Sequence, residues 1–157
     1  MSMPLHSKQV SILVAEDDPD DCHLIREAFV EAKLANELRF VENGVEVFDY
    51  LGRVGKFADP ASSPWPGLLL LDLNMPRMDG REVLQRLKAD PKYCAIRVIV
   101  MTTSKAEEDI LRSYQLAAAS YITKPVTFQA LVGIVRSLGQ YWFEIVELLD
   151  HEAKRDS

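Results

Sequence analysis

The chain has 157 residues, 48% of them hydrophobic and 27% charged, with a formal charge of −6 at pH 7. That length and apolar content suit one domain with a real core, and the acidic balance argues against a nucleic-acid surface, which would gather Lys and Arg. No stretch approaches the ~18 apolar residues of a membrane span, and residues 1–7 lack the apolar core of a signal peptide. The chain is therefore read as cytoplasmic. Cys22 and Cys94 are too few for a disulfide framework, and His6, His23 and His151 are too scattered for a zinc site.

In chain order, Val10-Ser11-Ile12-Leu13-Val14-Ala15 reads as a buried strand running into Glu16-Asp17-Asp18. Asp18-Pro19-Asp20-Asp21 then predicts a helix start: Asp18 caps, Pro19 takes the first helical position, and Asp20 and Asp21 complement the helix dipole. Leu24, Ile25, Ala28, Phe29 and Ala32 follow at helical spacing. A second strand is predicted over 38–42, a turn at Asn43-Gly44, and a helix carrying Val47, Phe48 and Leu51. Residues 52–67, with three prolines and three glycines, form a loop that Phe57 and Trp65 pack down.

The four leucines at 68–71 run unbroken into Asp72, as expected of a strand buried on both faces of a parallel sheet. The chain turns through 73–80 into a helix near 81–89. Val98-Ile99-Val100-Met101 then runs into Thr102-Thr103-Ser104, a helix is predicted near 105–118, and the strand at 120–123 runs into Lys124-Pro125. From about Thr127 a last helix carries Phe128, Leu131, Val135, Leu138, Trp142, Ile145 and Leu149 at alternating spacings of three and four. The alternation of strands and helices implies an α/β doubly wound fold: a five-stranded parallel sheet with right-handed crossovers and helices on both faces.

Ligands of such sheets bind at the carboxyl ends of the strands. Acids, a hydroxyl and an amine stand at four of those ends, so they compose one proposed site. Two carboxylates at about 4 Å repel by on the order of 4 kcal/mol at an effective dielectric near 20. Mg²⁺ suits such a group, since it takes a few carboxylate oxygens and leaves room for phosphate, and Lys124 offsets part of the remaining charge. An Asp beside Mg²⁺ and Lys is a nucleophile suited to a phosphoryl group, one of whose oxygens the Thr102 hydroxyl would hydrogen-bond.

Glu16-Asp17, Asp72 within Leu71-Asp72-Leu73-Asn74-Met75-Pro76-Arg77-Met78-Asp79-Gly80, Thr102 and Lys124-Pro125 together resemble the receiver domain of two-component response regulators, over about residues 10–138. The resemblance implies a flavodoxin-like fold with strand order 2-1-3-4-5, and phosphate accepted on Asp72 from a histidine kinase. It further implies Mg²⁺ organised by Glu16, Asp17, Asp72 and the Asn74 backbone carbonyl, Lys124 on the phosphoryl group, and Thr102 with Tyr121 as a switch pair. The receiver would span 8–140, leaving 141–157 as a helical extension and tail with no separate output domain. Residues 105–114 and Gly139-Gln140-Tyr141-Trp142 are most similar to stand-alone regulators paired with bacterial phytochromes, whose output is a protein contact.

Three features depart from the family pattern: Ala117 where Gly is usual, Thr103 where Ala is common, and the long 52–67 segment. The competing readings are a Mg²⁺-dependent aspartyl-phosphate phosphohydrolase and a receiver-shaped scaffold that is never phosphorylated. The first would carry a second Asp where Asn74 stands, and the presence of every acceptor residue argues against the second. No Gly-rich phosphate loop follows the first strand, and nothing after Pro125 can build a helix-turn-helix. Trp142, Ile145 and Leu149 lie beyond what the sheet needs covered, so a homodimer is expected, joined across the face of the fourth helix, fifth strand and fifth helix.

Overall fold

A computed structural model describes residues 11–102, 120–124 and 127–140. The predicted helix at 105–118 and residues Val10, Thr103, Ala117, Pro125, Trp142, Ile145 and Leu149 lie outside them. The elements are β1 (Ser11–Ala15), α1 (Pro19–Glu31), β2 (Leu38–Val41), α2 (Gly44–Gly52), β3 (Pro66–Asp72), α3 (Gly80–Ala89), β4 (Arg97–Thr102) and β5 (Ser120–Thr123). A C-terminal helix occupies residues 128–140. All strand pairs are parallel and the sheet order is β2-β1-β3-β4-β5. This is the expected doubly wound order, whose switch point lies between β1 and β3.

Side chains alternate across a strand, and here they divide the interior into two cores. Leu13, Leu69, Leu71 and Val100 meet Val47, Leu51, Val83 and Leu84 of α2 and α3 on one face. Ile12, Val14, Leu70 and Ile99 meet Ile25 and Phe29 of α1 and Leu131 and Val135 of the C-terminal helix on the other. Helices on both faces explain why β3 reads as an unbroken apolar run. β2, at the sheet edge, is half-buried through Phe40 and fully buried only at Val41.

Local chemistry sets the helix starts. Asp18 accepts from the Asp20 N–H at 2.8 Å with Pro19 in the first helical position, as expected. Asn43 is the N-cap of α2 rather than part of a free turn, accepting from the Glu46 N–H at 2.9 Å, and β2 ends at Val41, one residue short of the expected strand. Gly44 opens α2 because the helix start lies against the Met78 backbone, where a Cβ would fall 2.3 Å from the Met78 carbonyl oxygen.

The 52–67 segment is less of a loop than expected. Gly52 closes α2, Gly55–Phe57 forms a 3-10 turn, and Pro66 and Gly67 already belong to β3. Its packing comes from Phe57 edge-on to Tyr50, 5.4 Å between ring centroids, and from the Tyr50 hydroxyl donating to the Pro64 carbonyl at 2.7 Å. Trp65 stays 47% exposed and only leans on Tyr93, so it anchors less than its size suggests.

Candidate functional site

Four strand ends converge. Ala15 is in register with Leu71, Asp72 with Met101, and Thr102 with Thr123, so Glu16, Asp72, Thr102 and Lys124 fall at one edge of the sheet. Backbone bonds lock these ends together: the Leu73 N–H donates to the Met101 carbonyl at 3.0 Å, and the Lys124 N–H to the Thr102 carbonyl at 2.7 Å. The turn after Asp72 is held by its own side chain, whose Oδ1 accepts from the Asn74 N–H at 3.0 Å. Gly80 lies against this turn, where a Cβ would come 2.8 Å from the Asp72 carbonyl oxygen, so its small size matters for close approach rather than for easing the chain into α3.

Glu16, Asp17 and Asp72 each offer a carboxylate oxygen within 4.8 Å of the others, with Glu16 and Asp72 buried and Asp17 exposed. Lys124 reaches in from beyond β5. Its ammonium contacts Glu16 Oε1 and lies 3.0 Å from Asp21 Oδ2 and 3.4 Å from Asp72 Oδ2. Burial works against that ammonium, but the hydrogen bonds to Glu16 and Asp21 and the charges of Asp72 and Glu16 outweigh it and raise its pKa above the usual lysine range. Burial, followed by a hydrogen bond with Asp72, pushes the Glu16 carboxyl up to about 8 despite Lys124.

Sequence reasoning placed Glu16, Asp17, Asp72 and Lys124 together; the structure groups the three carboxylates within 4.8 Å of one another and sets Lys124 against Glu16 and Asp72. Thr102 is fully buried at the end of β4, and Asn74 sits at the solvent-facing turn. Tyr121 pairs with Val100 through its backbone, its side chain lying outside what is described. Asp21 was the omission: treated as a dipole-complementing acid like Asp20, it instead ion-pairs with Lys124. A signal existed, because Asp21 heads the stripe continued by Ile25, Ala28 and Phe29, the residues that α1 buries. Burial and the Glu16 charge also push the Cys22 thiol up to about 11, which leaves it neutral and inert as a nucleophile at pH 7.

The response regulator receiver domain family matches residues 12–136. Response regulator Rcp1 of Synechocystis sp. is 36% identical over 137 residues, covering 87% of this chain and 91% of that protein. Among solved structures, the phosphorylated cyanobacterial phytochrome response regulator RcpA superposes with a TM-score of 0.74 at 38% identity, covering 86% of this chain and 94% of that one. Response regulator RPA3017, described in red light signaling of R. palustris, gives 0.77 at 37% identity over 85% and 93%. A Mn(2+)-bound form of Rcp1 gives 0.71 at 35% identity over 85% and 94%.

Proposed function

The chain belongs to the response regulator receiver domain family, and from that premise we propose that it is a single-domain phosphoacceptor of a two-component relay, phosphorylated on Asp72 by a histidine kinase. The observation that carries this reading is Asp72 itself, buried at the end of the central strand with the Lys124 ammonium 3.4 Å from its Oδ2. An Asp72 oxygen attacks the phosphorus of the donor phosphohistidine. The P–O bond forms as the P–N bond breaks, and the imidazole leaves with the electron pair and takes up a proton. Lys124 is placed to accept the charge of the phosphoryl oxygens.

Glu16, Asp17 and Asp72 suit a hard divalent cation, being oxygen donors within reach of one another. We assign them to Mg²⁺, with the Asn74 carbonyl as a further ligand; once bound, the ion would offset the charge that develops on the transferring phosphoryl oxygens. The Mn(2+)-bound form of Rcp1 supports a divalent ion at such a site. Thr102 and Tyr121 are proposed as the switch pair that relays phosphorylation to the far face by a shift between two packings. The names of the similar proteins support a phytochrome-type kinase as donor. No helix among the described residues is long and apolar enough to cross a membrane, and we place the protein in the cytoplasm, acting without nucleic acid and as a homodimer through Trp142, Ile145 and Leu149.

The test is incubation with Mg²⁺ and acetyl phosphate, followed by mass measurement. The parent gains one phosphoryl group that alkali removes, and Asp72→Asn gains none. An undiminished, acid-stable label in the variant would show that the acceptor lies elsewhere.

A further inference from the structure

We propose that Asp21 is a positioning residue for Lys124, holding the ammonium where it meets a phosphoryl group on Asp72; this rests on the phosphoacceptor function given above. A lysine ammonium has three donors, and among the described residues its carboxylate neighbours are Glu16, Asp21 and Asp72. Two of those three also belong to the group suited to a divalent ion. Once their charge is shared with a cation, they hold Lys124 less firmly. Asp21 stands outside that group, so it is the acid left to fix the amine.

The fold builds this contact deliberately into the start of α1. Asp18 does the capping, accepting from the Asp20 N–H, so the Asp21 side chain is not used to cap the helix. Asp21 shares a face with the buried Ile25, Ala28 and Phe29, and the packing of α1 on the sheet therefore aims its carboxylate over the strand ends. Asp20, one residue earlier, is exposed and off that stripe. At the other end, the Lys124 backbone is tied to β4 through the Thr102 carbonyl at 2.7 Å. A four-carbon stem fixed at its root still has rotamer freedom, and Asp21 removes it at the tip.

Two measurements test the idea. With saturating Mg²⁺ and no phosphodonor, acylation of lysines by a succinimidyl ester is followed by mass spectrometry, with the exposed Lys92 as internal reference. Asp21→Asn should speed acylation of Lys124 several-fold while Asp20→Asn, which removes the same charge, leaves it unchanged; no change in Asp21→Asn overturns the proposal. With Mg²⁺ and acetyl phosphate, Asp21→Asn should lower the maximal phosphorylation rate about tenfold, less than the ~100-fold that a ~1 Å misplacement can cost, with half-saturation by the donor little altered. The same substitution made in Lys124→Ala should add nothing, because a residue acting through another has no effect once that other is gone. A full loss in the Lys124→Ala background, or a faster Asp21→Asn, overturns the proposal. If the parent takes no phosphate at all, the phosphoacceptor reading fails, while the acylation rates still decide whether Asp21 holds Lys124.

Discussion

Glu16 makes the metal-free protein sensitive to alkali in a way that can be worked out. Burial first, and then the hydrogen bond with Asp72, moves its carboxyl from 4.5 to about 8 in the folded chain. Below pH 4.5 the group is protonated folded or unfolded and contributes nothing to the pH dependence. Between 4.5 and about 8 the unfolded chain releases a proton that the folded chain keeps, so stability falls as pH rises. At ~1.36 kcal/mol per unit, the loss between pH 5 and pH 8 is roughly 3 kcal/mol. Lys124, with its pKa raised, contributes stability that is fully present throughout this window and is lost only at far higher pH. Urea midpoints in EDTA should therefore show Glu16→Gln gaining on the parent as pH rises. With a urea m-value of ~1–3 kcal/mol/M, the relative shift is on the order of 1 M or more. Mg²⁺ should reverse the trend, since a ligand that needs ionised Glu16 binds better and stabilises more at pH 8 than at pH 5. A constant difference between parent and variant from pH 5 to 8 would refute the reasoning, because it would mean that Glu16 is ionised in the folded chain throughout.

Gly44→Ala should cost about 1–3 kcal/mol by overpacking, since the new Cβ meets the Met78 carbonyl oxygen at 2.3 Å, whereas Gly52→Ala, whose nearest neighbour is 3.5 Å away, should be neutral or slightly stabilising. Equal melting temperatures for the two variants would remove the close-approach argument. For the proposed dimer, sedimentation should give a dimeric parent and a monomeric Trp142→Glu; a monomeric parent, or a dimer that survives both this change and a stop after Gln140, removes the interface.

Where the fold was legible, one physical signal did the work. β1, β3 and β4 are runs of mostly buried apolar side chains stopped by a polar residue, because a strand covered on both faces has no polar side to show until its end. The same stop marked Glu16, Asp72 and Thr102, so the site was legible for the reason the fold was. What was missed depends on contacts between elements. Gly44 and Gly80 owe their identity to the Met78 and Asp72 backbones, which sit far along the chain or across a turn, and no local pattern separates them from ordinary turn glycines. Asp20 and Asp21 look equivalent as neighbours in an acidic run; only the helical period, followed from Asp21 through Ile25 and Phe29, assigns one to solvent and the other to Lys124.

The pocket is unevenly satisfied, and that unevenness indicates how it works. On the protein side, Lys124, only 15% exposed, supplies the one ammonium among Glu16, Asp21 and Asp72 in the described residues. On the solvent side Asp17 is exposed, with Glu16 and Asp72 behind it and no ammonium of its own in the described contacts. Beside them opens a cleft of ≈ 460 Å³ that Glu16 and Asp17 line together with Pro19, Cys22, Arg26 and Phe40. Glu16 and Asp17 would thus be open to a divalent ion from that cleft, which the cationic Arg26 and Lys56 also line. In the proposed phosphoacceptor role, Lys124 and such an ion would share the charge of a phosphoryl group at Asp72. The proposed positioning role of Asp21 follows from the same arrangement: an ion drawing on Glu16 and Asp72 would loosen their hold on the amine, and Asp21, outside that group, would keep it in place.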